Sequence, residues 1–349
     1  MYVGAWSRVK AFERPTLERA LYEDRSLVRM LGMRRTMFVV PLDHAPLLHS
    51  ACARAIAVAE RKRVLAMLRG AGLATDPERW LADVEAATLA ALEARGEATA
   101  TELTAVVPGL RLQIPFGEGK RWQGTFGMST RVLFLLSMEG RIVRARPRGS
   151  WLSSQYRWSP VDRWLGSNYA EQPIGAARTE LVRRWLAGFG PGTVADLRWW
   201  TGWTLGEVRR ALAAVATVEV GLDSGETGLV LEGDVEPTPD PGAWIAFLPT
   251  LDTTVMGWTK RDWYLGTHGT ALFDRNGNGG PTIWADGRVV GGWGQRPTGE
   301  VVTRLLEDVG AEAAAAIDAQ AARLDAWLGG TRITPRFRTP IELDMGGSS

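Results

Sequence analysis

One cysteine in 349 residues leaves no partner for an internal disulfide and no thiolate set for a zinc cage. That residue, Cys52, stands in HSACARAIA, a helical pattern facing a core, and reads as an inert buried thiol rather than a nucleophile. Histidine is almost as scarce, with three in all. His44 and His49 are five residues apart, a spacing that does not align two rings on one helical face, and His268 has no visible partner, so no metal is expected. No apolar run approaches the ~18 residues that span a bilayer. Arg8, Lys10, Glu13, Arg14, Glu18 and Arg19 interrupt the first twenty residues, unlike a secretory signal, so a cytoplasmic protein without a membrane partner is expected. NGNGG at 276–280 lacks the strand-to-helix context of a phosphate loop, and no cofactor is expected.

What is present is a hydrophobic fraction of 45%, enough for a large core divided among two or three domains. The net charge of +2 conceals an uneven distribution. Between Lys120 and Arg163 stand Lys120, Arg121, Arg131, Arg141, Arg144, Arg146, Arg148, Arg157 and Arg163 against Glu139 and Asp162. A solvated face normally mixes signs, so a one-sign cluster of this density is an electrostatic footprint for a polyanion, nucleic acid first.

The cluster falls on a recognisable order of elements. VEAATLAALEAR (84–95) has helical apolar spacing and stops at Gly96; TATELTAVVPG gives a Thr cap and a short helix; a third helix runs from about Ser129 to Met138. IVRAR and SQYRW then alternate as two strands about a turn at Arg148-Gly149-Ser150. Three helices and a hairpin are the winged-helix order, in which the third helix enters the major groove and the wing lies on the adjacent backbone. Alternation predicts Arg144, Arg146 and Arg148 on one face, a row of guanidinium groups matching successive phosphates, with Trp151 pressing on sugar or base. The bland alternative is an edge hairpin that avoids aggregation by charge.

The order recurs in AARTELVRRWLAGFG, TVADLRWWTG, TLGEVRRALAAV and the hairpin TVEVGLDSGETGLVLEG, whose wing holds Asp223 and Glu226 and leaves Arg209 and Arg210 as its phosphate candidates. Trp199, Trp200 and Trp203 read as core rather than as a stacking platform. Upstream, a helix from about Thr16 and the strand TMFVV resemble the end of a further, truncated winged helix. RKR at 61–63 reads as a solvated helix face, with phosphate contact as the alternative. Beyond EPTPDPG, strands with Gly-rich turns predict a small β-barrel, followed by a helix near 300–327. The predicted fold class is α+β, with tandem winged helices and a C-terminal barrel. Its parts are 1–80 (partial first winged helix and connecting helices), 81–165 (second, with the basic wing), 176–235 (third), 243–328 (barrel and helix) and 329–349 (tail).

The blocks LVRMLGMRRTMFVVP, FGPGTVADLRWWTG, FLPTLDTTVMGWTKRDWYL and PTIWADGRVVGGW, in this order, resemble the winged-helix family that includes the bacterial crosslink-repair DNA glycosylases. The resemblance implies a concave basic surface around double-stranded DNA, nucleoid association, and hydrolysis of the N-glycosidic bond of alkylated or crosslinked bases. It also implies a catalytic Gln-x-Gln or Gln-x-Asp motif a few residues before the segment that MYVGAWSRV matches. No such motif can be read here, and Phe38 stands where the family has His. Two expectations follow: a longer natural chain that carries the motif, or a homologue that does not release bases. Catalytic residues are therefore unassigned. The expected DNA contacts are Arg34, Arg35, Arg121, Arg131, Arg144, Arg146, Arg148, Trp151, Arg157, Arg209 and Arg210. Asp252 and Arg261 are a candidate pair on the concave face, with a structural ion pair as the plainer reading. Beside the glycosylase stand two other readings, a non-catalytic DNA-binding regulator and a protein-interaction scaffold.

Overall fold

The computed structural model describes residues 1–72, 75–117, 119–121, 123–335 and 338–346. The chain divides into two compact units, each assembled from separated stretches. A mid-chain unit holds Glu18–Arg184 and Arg209–Val215; a terminal unit holds Met1–Leu17, Trp185–Val208 and Ala216–Ser349. The elements are mixed α and β throughout.

In the mid-chain unit the helix Pro77–Arg95 starts where the Asp76 carboxylate accepts the Arg79 N–H at 3.1 Å, and ends at Gly96, whose φ of 78° suits glycine. Helix Ala100–Val106 opens on a reciprocal box between Thr99 and Glu102, and helix Met128–Met138 follows. Leu81, Leu92, Leu103, Val132, Leu135 and Leu136 from these three helices meet in one core. Strands Ala98–Thr99, Tyr156–Pro160 and Ile142–Pro147 form a three-stranded antiparallel sheet in that order. Earlier in the chain, Leu27–Leu31 pairs with Met37–Pro41, and the loop between them places Arg34 and Arg35 at φ of 53° and 62°. Helix Arg54–Gly70 is preceded by one wide turn, His49–Ala53, that carries an extra residue in the hydrogen-bond ladder. Cys52 is buried there.

In the terminal unit, Thr193 and Asp196 form a buried capping box at helix Val194–Thr201, and Gly202 ends it at φ 72°. Thr204 and Glu207 repeat the device at the start of helix Leu205–Leu212, whose residues from Arg209 onward belong to the mid-chain unit, and the hairpin Thr217–Gly221/Thr227–Leu231 comes next in the chain. Ile245–Leu248, Thr282–Ala285, Arg288–Gln295 and Val301–Leu305 then form a four-stranded antiparallel sheet in chain order. No pairing joins its outer strands among the described residues, so the closed barrel expected from the sequence is not found. Helix Gly310–Leu328 takes that place: it packs against both outer strands and buries Ile317, Leu324 and Leu328 with Phe247, Ile283 and Trp293. Residues 301–305 are strand rather than the start of this helix, because VVTRL pairs with Arg288–Gln295 before the chain turns at Gly310.

Candidate nucleic-acid interface

The basic hairpin pairs Ile142 with Pro160 and Arg144 with Trp158, and its register slips between Arg144 and Pro147. Val143, Ala145 and Pro147 are buried, as the two-residue period of a strand demands. Arg144, Arg146 and Arg148 share the opposite side but do not form the even row that alternation predicted. Arg144 is half-buried, its guanidinium 5.0 Å from the Tyr156 ring centre and 5.3 Å from that of Trp158. Arg146 lies over the Tyr22 ring and reaches Glu18 at 3.3 Å and Glu23 at 3.1 Å. Arg148 is exposed at the turn, where its backbone N–H donates to the Gln155 carbonyl at 2.8 Å. The slipped register and the three different neighbourhoods break the row. Trp151 is half-buried in the turn, and Arg157 is exposed, 3.9 Å from Glu97.

A second arginine group forms where the loop after Leu27–Leu31 meets helices Arg54–Gly70 and Met128–Met138. Glu60, 2% exposed, binds both Arg35 and Arg63, the latter at 3.1 Å. Arg131 lies 4.4 Å from the Phe126 ring centre. Burial, and then the Arg63 and Arg131 charges, depress the Arg35 pKa; burial and then Arg63 depress that of Arg131. Two guanidinium groups thus share the Glu60 carboxylate with the like charge of Arg131 close by, an arrangement that favours an incoming anion. Arg34 is exposed beside Arg35. Arg61 is different: it bridges Glu85 at 2.8 Å and Glu139 at 2.5 Å, which makes it a structural tie rather than the solvated side chain expected.

Arg121 is exposed, and Arg209 and Arg210 are exposed on helix Leu205–Leu212. The candidate pair Asp252 and Arg261 is given two separate sets of partners. Asp252, buried, is gripped by Arg8 through bonds of 2.9 and 2.6 Å. Arg261 stacks against Trp199 at 4.7 Å and Phe273 at 4.6 Å and donates to the Trp258 carbonyl. Asp252 thus forms its ion pair with Arg8 and not with Arg261. Trp203 is buried, whereas Trp199 and Trp200 are half-buried.

Three residues of these sites escaped sequence reasoning. Arg29, in the otherwise apolar strand LVRML, is 8% exposed against the Tyr156 ring; a charge inside an apolar run was its available signal. Glu60 gave none, because a glutamate beside RKR reads as surface. Arg8 is 244 positions from Asp252, beyond any local pattern.

These features define a mixed α/β protein whose mid-chain unit concentrates guanidinium groups on few carboxylates, as proteins that meet polyanions do. The family model described as DNA glycosylase AlkZ-like matches residues 1–327, and the chain belongs to that family. Among solved structures, Streptomyces sahachiroi DNA glycosylase AlkZ is similar with a TM-score of 0.66 and 21% sequence identity, over 93% of this chain and 85% of that one. No curated protein matches the sequence.

Proposed function

We propose that this protein engages double-stranded DNA and hydrolyses the N-glycosidic bond of alkylated or crosslinked nucleotides in DNA repair. Family membership over residues 1–327 carries the reading. The arginine groups around Glu60 and on the basic hairpin supply the phosphate contacts, and the three-helix, hairpin order fits winged helices that present them. The reaction needs a polar group that holds water against C1′ and nearby charge for the oxocarbenium-like sugar. A cationic alkylated purine leaves readily, so positioning matters more than acid strength.

A second reading, DNA binding without base release, is favoured by one observation inside the chain: Phe38 stands where the family has His. Purified protein incubated with a duplex containing 7-methylguanine separates the two. Released base above background establishes the glycosylase; duplex binding without release leaves the second reading; absence of both overturns the DNA reading altogether. No helix among the described residues is long and apolar enough to cross a membrane.

A further inference from the structure

The mid-chain unit contains one buried and one half-buried guanidinium group, those of Arg29 and Arg144, that have no counter-charge among the described residues. Arg29 donates weakly to the Tyr22 hydroxyl at 3.4 Å, and its guanidinium lies 4.2 Å from the Tyr156 ring centre. Arg144 lies against the same ring and against Trp158. The Nε–H groups of both are buried without a hydrogen-bond acceptor, and among the described residues neither guanidinium is paired with a carboxylate. Burying an unpaired charge beside a like charge is unfavourable, and chains keep such groups where a ligand completes them. Stacking on aromatic faces offsets part of the cost but leaves the Nε–H of each unsatisfied.

Arg144 also lines a cavity of about 430 Å³ between helix Met128–Met138 and the basic hairpin. Its apolar surface comes from Phe134, Tyr156 and Trp158, and its polar rim includes Thr130 and Gln155. No carboxylate among the described residues lines it, so a cationic ligand finds no partner. The volume suits a ring system with a polar substituent.

We propose that this cavity binds a planar heteroaromatic ring carrying an anionic group, the chemistry of a nucleotide, with the ring against Phe134 and Trp158 and the anionic oxygens on Arg144. The nucleotide comes either free or as one unstacked from a DNA strand. The assignment stands independently of the glycosidic reaction, since it uses none of its steps.

Titration calorimetry of the full chain tests it with dGMP, deoxyguanosine and inorganic phosphate, alongside a duplex with a single bulged guanosine and its matched counterpart. Saturable binding of dGMP, with deoxyguanosine and phosphate each at least about ten-fold weaker, supports the site with a free ligand. Preference for the bulged over the matched duplex, without dGMP binding, supports it with the strand as source. In either case Arg144→Lys, which keeps the charge but not the planar fork, should weaken the ligand by about ten-fold, and Phe134→Leu should weaken it less. Arg144→Gln should lose binding while its thermal midpoint stays level or rises, because an unpaired half-buried charge is removed. Absence of both dGMP binding and bulge preference overturns the proposal, as does an Arg144→Lys protein that binds like the parent. Failure of base release with dGMP binding intact would count against the repair reading alone.

Discussion

Two hairpins follow three helices each in this chain, and they carry opposite charge. The strands Ile142–Pro147 and Tyr156–Pro160 belong to a three-stranded sheet, bury Val143, Ala145, Pro147, Trp158 and Ser159 and, with the turn between them, hold four arginines. The strands Thr217–Gly221 and Thr227–Leu231 pair with each other, leave Val218 and Glu219 exposed, and direct Glu226 to Lys260 at 2.7 Å. The same order of elements therefore says little about what a hairpin meets. The charges placed on it, and the carboxylates already occupying those charges, decide. Arg146 illustrates the point: it stands on the basic hairpin, yet Glu18 and Glu23 hold it, so a phosphate would have to compete with them.

The largest change to this contrast should come from the group around Glu60. Replacing Arg35, Arg63 and Arg131 together by Gln should lower the salt slope of log K for duplex binding by roughly 2 to 3, at ~0.9 per phosphate contact. The triple variant should also unfold at lower temperature, since Glu60 would remain buried without a partner. An unchanged slope would remove this group from the DNA surface. Next in size, Glu18→Gln with Glu23→Gln should release Arg146 and steepen the slope by about 1. A double variant that binds with the parent's slope would show that these carboxylates do not compete.

Charge reversal on the acidic hairpin gives a smaller effect. Asp223→Lys with Glu226→Lys should tighten non-specific duplex binding by only a few-fold, since the ammonium introduced in place of the Glu226 carboxylate also faces Lys260. Unchanged affinity would place that hairpin away from the duplex. The smallest effect concerns pH. Burial holds the His49 pKa below its usual value, with the Arg54 charge acting in the same direction. The unfolded chain then binds the extra proton first, so stability is level above about pH 6.5 and falls as the pH drops below it. Urea unfolding at neutral and mildly acidic pH should show that fall in the parent and a lesser one in His49→Asn. Equal falls would assign the acid sensitivity to other groups.

The sequence is most legible where chemistry is local. The caps at Thr99, Thr193 and Thr204, the stops at Gly96 and Gly202, and the core face of helix Met128–Met138 are each set by residues a few positions apart. Strand Val301–Leu305 is hidden because VVTRL precedes an alanine-rich helix and its pairing partner is not visible in the local pattern. The open sheet reads as a barrel because alternation identifies strands but not whether the outermost ones meet. Side-chain direction is the least legible. Alternation separates Val143 and Ala145 from Arg144 and Arg146 correctly, but the slipped register, the Tyr156 and Trp158 rings and the distant Glu18 and Glu23 set where each guanidinium goes. Likewise, the Asp252 block is visible, whereas its partner Arg8 is not.

Contact between phosphate and exposed arginine on the basic hairpin is tested most directly at Arg148, which is exposed at the turn and whose loss disturbs no buried group. The measurement is duplex affinity across a range of salt concentrations for the parent and for Arg148→Ala. The expected result is a slope of log K shallower by ~0.9 in the variant, with weaker binding at low salt. Coincident lines for the two proteins would contradict it and leave the hairpin as a charged sheet edge.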